Sequence, residues 1–175
     1  MRPGTPIVLI GFMATGKTTV GRMVAERLER TFLDLDHLVE EGAGMKIPEL
    51  FRTQGEAAFR KAESEALGKA LKMDSVVLAT GGGAACREDN LQAMLAGGYV
   101  VALSAPPSEV LKRTGGASGR PLLDSAADPL AEAQRLLSAR EPFYARAHLR
   151  IETVGKTPQD VATEIVAAVR QEGRS

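Results

Sequence analysis

A glycine-rich stretch near the N-terminus carries the strongest chemical signal in the sequence. Residues 11–18 read GFMATGKT and match the pattern G-x-x-x-x-G-K-[ST], after an apolar stretch and before an amphipathic helical pattern. Glycine lets the backbone wrap closely around a polyphosphate, and the amides at a helix start point at it with the helix dipole behind them. Lys17 would reach the outer phosphates, and the Thr18 hydroxyl would ligate Mg²⁺. The motif and its context predict a P-loop.

Two aspartates are the candidates for metal binding and proton transfer. The apolar strand at residues 76–79 runs into Thr80 and three glycines, not into the aspartate that holds Mg²⁺ in a typical P-loop ATPase. Asp34 and Asp36 end the second predicted strand, and a spacing of two puts both carboxylates on one side of a strand. One would serve the metal while the other takes a proton from an attacking hydroxyl; the alternative is two solvated acids. The single asparagine, Asn90, precedes leucine and no Thr-Lys-x-Asp occurs, which argues against a GTPase.

Three consecutive glycines and two arginines suggest where a second substrate binds. Residues 81–83 follow a strand, and a backbone without side chains there lets a ligand lie against main-chain amides in the crevice of an open α/β sheet. A tight turn is the alternative. Arg60 lies on a predicted helix with Glu63 one turn along, and Arg140 lies near the end of another predicted helix. Taken singly, an arginine of this kind is commonly part of a solvated surface pair.

The segment at residues 114–119 is rich in glycine and predicts a mobile loop. Arg120 follows it and could close over the phosphates like an arginine finger, with a solvated loop arginine as the alternative. Arg113 would flank the nucleotide from the other end of the loop.

Composition limits the class of protein. The 175 residues suffice for one domain, and 44% hydrophobic with 25% charged residues is typical of a globular chain. A net charge of zero and an aromatic content of 4% argue against a nucleic-acid or membrane partner. The single cysteine, Cys86, excludes an internal disulfide and a multi-cysteine zinc site. The apolar stretch at residues 7–10 is too short for a signal peptide or a membrane span. Together these features predict a cytoplasmic protein.

Apolar strands and amphipathic helices alternate along the chain. Predicted strands cover residues 7–10, 31–36, 75–80, 99–103 and 149–152. Predicted helices cover residues 20–28, 55–71, 88–95, 108–113, 129–139 and 158–170. Asp128 and Thr157 each precede a proline, as an N-cap residue does. The alternation predicts an α/β fold in one domain, residues 1–175, with a mostly parallel sheet and helices on both faces.

In order and spacing, these motifs resemble those of the shikimate kinase family over nearly the whole chain. They are residues 11–18, Asp34-Leu35-Asp36, Phe59-Arg60 with Glu63, Gly81-Gly82-Gly83, Arg120-Pro121-Leu122-Leu123 and Arg140 to Tyr144. The resemblance implies an ATP-dependent enzyme that phosphorylates the 3-hydroxyl of shikimate, on the way to chorismate and the aromatic amino acids. It also implies a P-loop NTPase fold like that of nucleoside-monophosphate kinases, with a five-stranded parallel sheet. A substrate-binding region at residues 37–62 and a mobile lid at residues 113–124 belong to that expectation.

The resemblance further implies a role for each candidate residue. ATP would be bound by Ala14, Thr15, Gly16, Lys17, Thr18, Thr19, Arg113, Arg120 and Lys156. Mg²⁺ would be held by Thr18 and Asp34, while Lys17, Asp36 and Arg120 would be catalytic, with Asp36 deprotonating the hydroxyl. Shikimate would be bound by Asp36, Arg60, Gly82, Gly83 and Arg140, with both arginines on its carboxylate. ATP and Mg²⁺ are the expected cofactors, shikimate is the expected small-molecule partner, and a monomer is expected.

Two alternatives remain open from the sequence. One is another small-molecule kinase of the same build, for gluconate or a nucleoside monophosphate, and the other is a non-catalytic nucleotide-binding regulator. The set of Arg60, Gly82 and Arg140 favours a carboxylate over a nucleotide but does not exclude a gluconate-like sugar acid. The pair of Asp34 and Asp36 argues against an inactive protein.

Overall fold

A five-stranded parallel sheet forms the centre of the fold. The computed structural model describes residues 1–114 and 127–173. The strands are β1 (Ile7–Gly11), β2 (Thr31–Asp34), β3 (Val76–Ala79), β4 (Tyr99–Ser104) and β5 (Leu149–Glu152). They lie in the order β2-β3-β1-β4-β5, and every pairing is parallel. The predicted sheet is confirmed.

Helices cover both faces of this sheet, as predicted. They are α1 (Lys17–Arg27), α2 (Leu35–Ala43), α3 (Ile47–Ala70), α4 (Glu88–Gly97), α5 (Pro107–Arg113), α6 (Pro129–Tyr144) and α7 (Pro158–Glu172), with a 3-10 turn at Ala84–Cys86. Alternate side chains of a strand point to opposite faces. Val8 and Ile10 of β1 therefore join a core with α3, α4 and α6, while Ile7 and Leu9 join a core with α1 and α7.

The second strand is shorter than predicted because Asp34 ends it by capping a helix. The Asp34 Oδ1 atom accepts a hydrogen bond from the Asp36 amide at 3.1 Å, and α2 begins at Leu35. This local hydrogen bond offers the backbone an alternative to the strand. The prediction that both aspartates share one side of a strand is wrong, because Asp36 lies in the first turn of α2.

The third helix begins eight residues earlier than the periodicity predicts. It runs from Ile47 to Ala70 and is interrupted at Gly55, where φ is 81° and ψ is 175°. That conformation is essentially restricted to glycine. The first part of the helix places Leu50 against Val39 of α2 and Phe59 of the second part. Residues 37–62, the expected substrate-binding region, are accordingly mostly helical.

Two of the predicted helix starts are confirmed by their caps, and one helix is longer than predicted. The Asp128 carboxylate accepts hydrogen bonds from the Leu130 and Ala131 amides, each at 3.0 Å. Thr157 and Asp160 form a capping box at the start of α7. Helix α6 continues beyond the predicted end at residue 139 and includes Pro142.

The expected lid at residues 113–124 lies almost entirely outside the described residues, and so does Arg120. Arg113 is described and ends α5. Across residues 1–114 and 127–173, no helix combines the length and apolar character that crossing a membrane requires.

Replacing Gly11 with alanine should lower the free energy of unfolding by about 3 kcal/mol. A β carbon there would lie 2.2 Å from the Leu103 carbonyl oxygen of β4, and the φ of +137° is strained for alanine. Urea denaturation followed by circular dichroism measures this difference. Gly42→Ala is the matched control: nothing lies within 4 Å of its β-carbon position in α2, so this variant should gain about 0.5–1 kcal/mol. A Gly11→Ala protein as stable as wild type would contradict the proposed close approach of β1 and β4.

Candidate active site

The P-loop residues lie between β1 and α1, as the motif predicts. Thr15 is buried, and its hydroxyl donates to the Phe12 carbonyl at 2.8 Å. The Lys17 ammonium donates to the carbonyls of Gly11 and Phe12 at 2.9 and 2.7 Å, so it lies over the loop. In the described part of the chain no side chain caps the start of α1. The first-turn amides of a helix point out of its N-terminus, where they can bind an anion.

Thr18 and Asp34 meet at one edge of the P-loop. The Thr18 hydroxyl donates to Asp34 Oδ2 at 3.2 Å. Hydroxyl and carboxylate oxygens are the ligands that Mg²⁺ takes, together with water and substrate phosphates. Residues 1–114 and 127–173 contain no group of three His, Cys, Asp or Glu side chains that could hold a metal. The chemistry of the Thr18 and Asp34 oxygens fits a Mg²⁺ ion.

A cavity of about 230 Å³ is lined by Lys17 and Asp36, two of the three predicted catalytic residues. The third, Arg120, lies outside the described residues. The lining of the cavity also includes Thr18, Asp34 and Gly82. Asp36 reaches the cavity from the first turn of α2, and its Oδ1 atom lies 2.9 Å from the position that a β carbon on Gly81 would occupy. The absence of a side chain at residue 81 is therefore what allows the carboxylate to lie at the end of β3.

The next two glycines face the two predicted arginines. Arg140 Nη1 lies 3.3 Å from the β-carbon position of Gly82, and Arg60 Nη1 lies 3.4 Å from that of Gly83. The Arg140 guanidinium also lies over the Phe12 ring, 5.3 Å from its centroid. Helices α3 and α6 thus bring two positive charges to one short glycine loop.

Glu63 is buried beside Arg60, which sequence reasoning did not predict. The Glu63 side chain is 2% exposed and accepts from Arg60 Nη1 at 3.1 Å, while Glu56 accepts from the other side of the guanidinium. Burial raises the pKa of the Glu63 carboxyl, and the charge of Arg60 opposes this shift. A solvated surface pair is therefore the wrong interpretation for Glu63. Its position four residues from both Phe59 and Leu67, on the buried stripe of α3, was the signal.

Tyr144 is a second residue that sequence reasoning left without a role. Its side chain is buried, and its hydroxyl donates to the Gly82 carbonyl at 2.6 Å. The spacing of four residues between Arg140 and Tyr144 places both on one face of α6 and could have indicated a shared target.

Arg113 and Lys156 lie beside the P-loop in a different cavity. Both line a second cavity of about 220 Å³ together with Ala14, Thr15, Gly16 and Thr19. Arg113 donates to the Thr153 hydroxyl at 2.8 Å, to the Thr153 carbonyl at 3.1 Å and to the Ala14 carbonyl at 3.4 Å. Lys156 pairs with Glu164 at 2.8 Å. The buried Thr153, which the sequence did not single out, is thus the main anchor of Arg113.

A parallel sheet of this strand order, with a P-loop between β1 and α1 and an aspartate facing that loop, defines a P-loop kinase of small molecules. A sequence model of the shikimate kinase family matches residues 13–170. The chain therefore belongs to the shikimate kinase family, and it is an ATP-dependent kinase that phosphorylates shikimate.

Individual relatives agree with this assignment. A shikimate kinase of Symbiobacterium thermophilum is 45% identical over 170 residues, which cover 95% of this chain and 97% of the relative. One of Geobacter sulfurreducens is 46% identical over 168 residues, covering 96% and 92%. The solved structure of the Acinetobacter baumannii shikimate kinase in complex with shikimate has a TM-score of 0.88 at 39% identity and covers 98% of this chain and 95% of that chain. The expected fold and reaction are confirmed, and the gluconate kinase, nucleotide kinase and regulator alternatives are wrong.

The buried carboxyl of Glu63 should make stability depend on pH in one direction. Its folded-state pKa is raised above the ordinary value of 4.5, so the unfolded chain loses this proton at lower pH than the folded protein does. The contribution of Glu63 to stability is therefore largest below pH 4.5 and declines as the pH rises through the folded-state pKa. Glu63→Gln has no such titration.

Urea denaturation of wild type and of Glu63→Gln from pH 4 to pH 8 measures this contribution. The free energy of unfolding of wild type minus that of the variant should fall as the pH rises and then become constant. An increase of this difference with pH would show that Arg60 outweighs burial and would contradict the prediction.

Proposed function

We propose that phosphoryl transfer from ATP to the 3-hydroxyl of shikimate takes place in the cavity between the P-loop, Asp36 and the glycine loop. One observation carries the proposal: a single cavity is lined by the P-loop lysine, the Thr18 and Asp34 pair, a second carboxylate and Gly82. Phosphoryl transfer needs little beyond positioning and electrostatic stabilisation, and this set supplies both.

The nucleotide half of the site consists of P-loop backbone and flanking cations. The amides of residues 14–19 would bind the phosphates at the start of α1, and Lys17 would move from the loop carbonyls to the transferring group. Thr18 and Asp34 would hold Mg²⁺, which neutralises phosphate charge when bound. Arg113 and Lys156 would flank the nucleotide in the second cavity, and Arg120 would close over it.

Asp36 would accept the proton of the attacking hydroxyl. The Asp34 carboxylate accepts from the Thr18 hydroxyl of the P-loop and from the Asp36 amide, and the Asp36 carboxylate lies beside the glycine loop, where the second substrate would lie. These positions support metal binding by Asp34 and proton acceptance by Asp36.

The shikimate half of the site consists of the glycine loop and two arginines. Arg60 and Arg140 would bind the carboxylate, each with parallel N–H donors, and the amides of Gly82 and Gly83 would bind the ring substituents. Glu63 and Glu56 hold the Arg60 guanidinium in place, which supports a fixed orientation toward the loop.

Further expectations complete the proposal. The chain would be one domain, with residues 37–62 as its substrate-binding region and residues 113–124 as its lid. It would act as a monomer in the cytoplasm, with no nucleic-acid or membrane partner, which the net charge of zero supports.

The two aspartates should respond differently to substitution. Asp36→Asn removes the base and should lower kcat by roughly 10² to 10⁴ while ATP still binds. Asp34→Asn weakens the metal site, so its loss of activity should be partly restored by raising the Mg²⁺ concentration. A steady-state assay of ADP release across a Mg²⁺ titration measures both. Equal restoration of the two variants would contradict the division of roles.

The arginines should be specific for a carboxylate. A lysine offers a point charge in place of two parallel donors, so Arg60→Lys and Arg140→Lys should each raise KM for shikimate roughly ten- to a hundredfold and leave KM for ATP unchanged. Arg135→Lys is the control, because Arg135 lies on the same helix α6 but is exposed and pairs with Glu132. Its KM values should match those of wild type.

A chemical variant tests the same point from the substrate side. Shikimate with a primary amide in place of its carboxylate should be phosphorylated poorly by wild type, because an amide is a weak partner for two guanidinium groups. Equal turnover of the amide and the acid would overturn the carboxylate assignment.

A further inference from the structure

The carbonyl oxygens of the glycine loop all bond to protein donors. The Gly81 carbonyl accepts from the Ala84 amide at 3.3 Å, and the Gly83 carbonyl accepts from the Cys86 amide at 3.0 Å. These two bonds belong to the 3-10 turn that follows the loop. The Gly82 carbonyl, between them, accepts instead from two side chains.

Tyr144 is the stronger of these two donors. Its hydroxyl lies 2.6 Å from the Gly82 oxygen, whereas the Cys86 sulfur lies 3.8 Å from it. A thiol is a weak donor at that distance. Burial raises the pKa of Tyr144, so its phenol keeps its proton and remains a donor across the working range of pH. Tyr144 is the last residue of α6 and lies one turn beyond Arg140, on the same face.

Holding the Gly82 carbonyl in one orientation also sets the orientation of the Gly83 amide. In a trans peptide unit the carbonyl of one residue and the N–H of the next point in opposite directions. The peptide unit that links Gly82 to Gly83 therefore turns its N–H away from Tyr144 when the hydroxyl holds its oxygen. A loop of three glycines has many accessible backbone conformations, so an external bond is needed to select one of them.

We infer that Tyr144 is a positioning residue for shikimate, because its hydroxyl holds the Gly82–Gly83 peptide unit in the orientation that presents the Gly83 amide to the substrate. This inference rests on the proposed function, in which the glycine loop binds the ring substituents of shikimate. Two residues on the same face of α6 then contribute to substrate binding: Arg140 binds shikimate directly, and Tyr144 orders the backbone beside it.

Tyr144→Phe tests the inference, because it removes one oxygen and retains the ring that packs in the core. KM for shikimate, and Kd for shikimate from isothermal titration calorimetry, should rise about tenfold, the size expected when a buried acceptor loses its hydrogen bond. KM for ATP should stay within twofold of wild type. Tyr99→Phe is the matched control, because Tyr99 is also buried but starts β4 at the opposite end of the strands.

A purely structural role would give a different pattern. It would lower the melting temperature and raise both KM values alike, and that result would overturn the inference. Unchanged kinetics in Tyr144→Phe, with a raised KM for shikimate in Arg140→Lys, would overturn the inference and leave the proposed site intact. Unchanged kinetics in both variants would overturn the proposed site as well.

Discussion

The parallel register of three adjacent strands determines where the chemistry of this protein can take place. Asp34 at the end of β2 pairs with Ala79 of β3, and Ala79 pairs with Leu9 of β1. Thr80 strengthens this alignment, because its amide and its hydroxyl both donate to the Leu9 carbonyl at 3.1 Å. The P-loop, the Asp34 cap and the glycine loop therefore leave the sheet side by side. A shift of one residue in either pairing would separate Asp34 from the P-loop and turn alternate side chains to the wrong face.

The buried polar side chains are concentrated next to the candidate site. Five polar residues are buried among those that the structure describes: Thr15, Glu63, Thr80, Asn90 and Thr153. Each one is hydrogen-bonded to a segment of the candidate site or next to it: the P-loop, Arg60, the end of β1, the Ala84 carbonyl after the glycine loop, and Arg113. Burying a polar group is costly unless it is hydrogen-bonded, and no buried side-chain polar atom lacks a partner in the described ranges. The buried polar groups thus fix the geometry of the candidate site.

The sequence alone predicts the parts of this arrangement that are local. The P-loop pattern, the proline-marked starts of α6 and α7, and the alternation of strands and helices each depend on a few neighbouring residues, and the structure confirms them. Glu63 and Tyr144 escaped prediction because spacing shows which face of a helix a residue lies on but not what surrounds it there: the sequence does not show that the pair of Glu63 and Arg60 is buried, or that the Gly82 carbonyl lies beside Tyr144. The two aspartates show a third case. A spacing of two residues fits a strand as well as a helix start. Only the hydrogen bond from the Asp36 amide to Asp34 favours the helix.

Gly55 divides α3 into two parts that are under different constraints. The part before it contributes Leu50 to a small apolar cluster, and the part after it carries Arg60 toward the glycine loop. Each residue of a helix turns the chain by about 100°, so an insertion between Gly55 and Arg60 would rotate the guanidinium away from Gly83. An insertion before Gly55 would be absorbed at the break and leave Arg60 in register. We therefore expect length changes on the N-terminal side of Gly55 to leave Arg60 beside Gly83, and length changes between Gly55 and Arg60 to displace it.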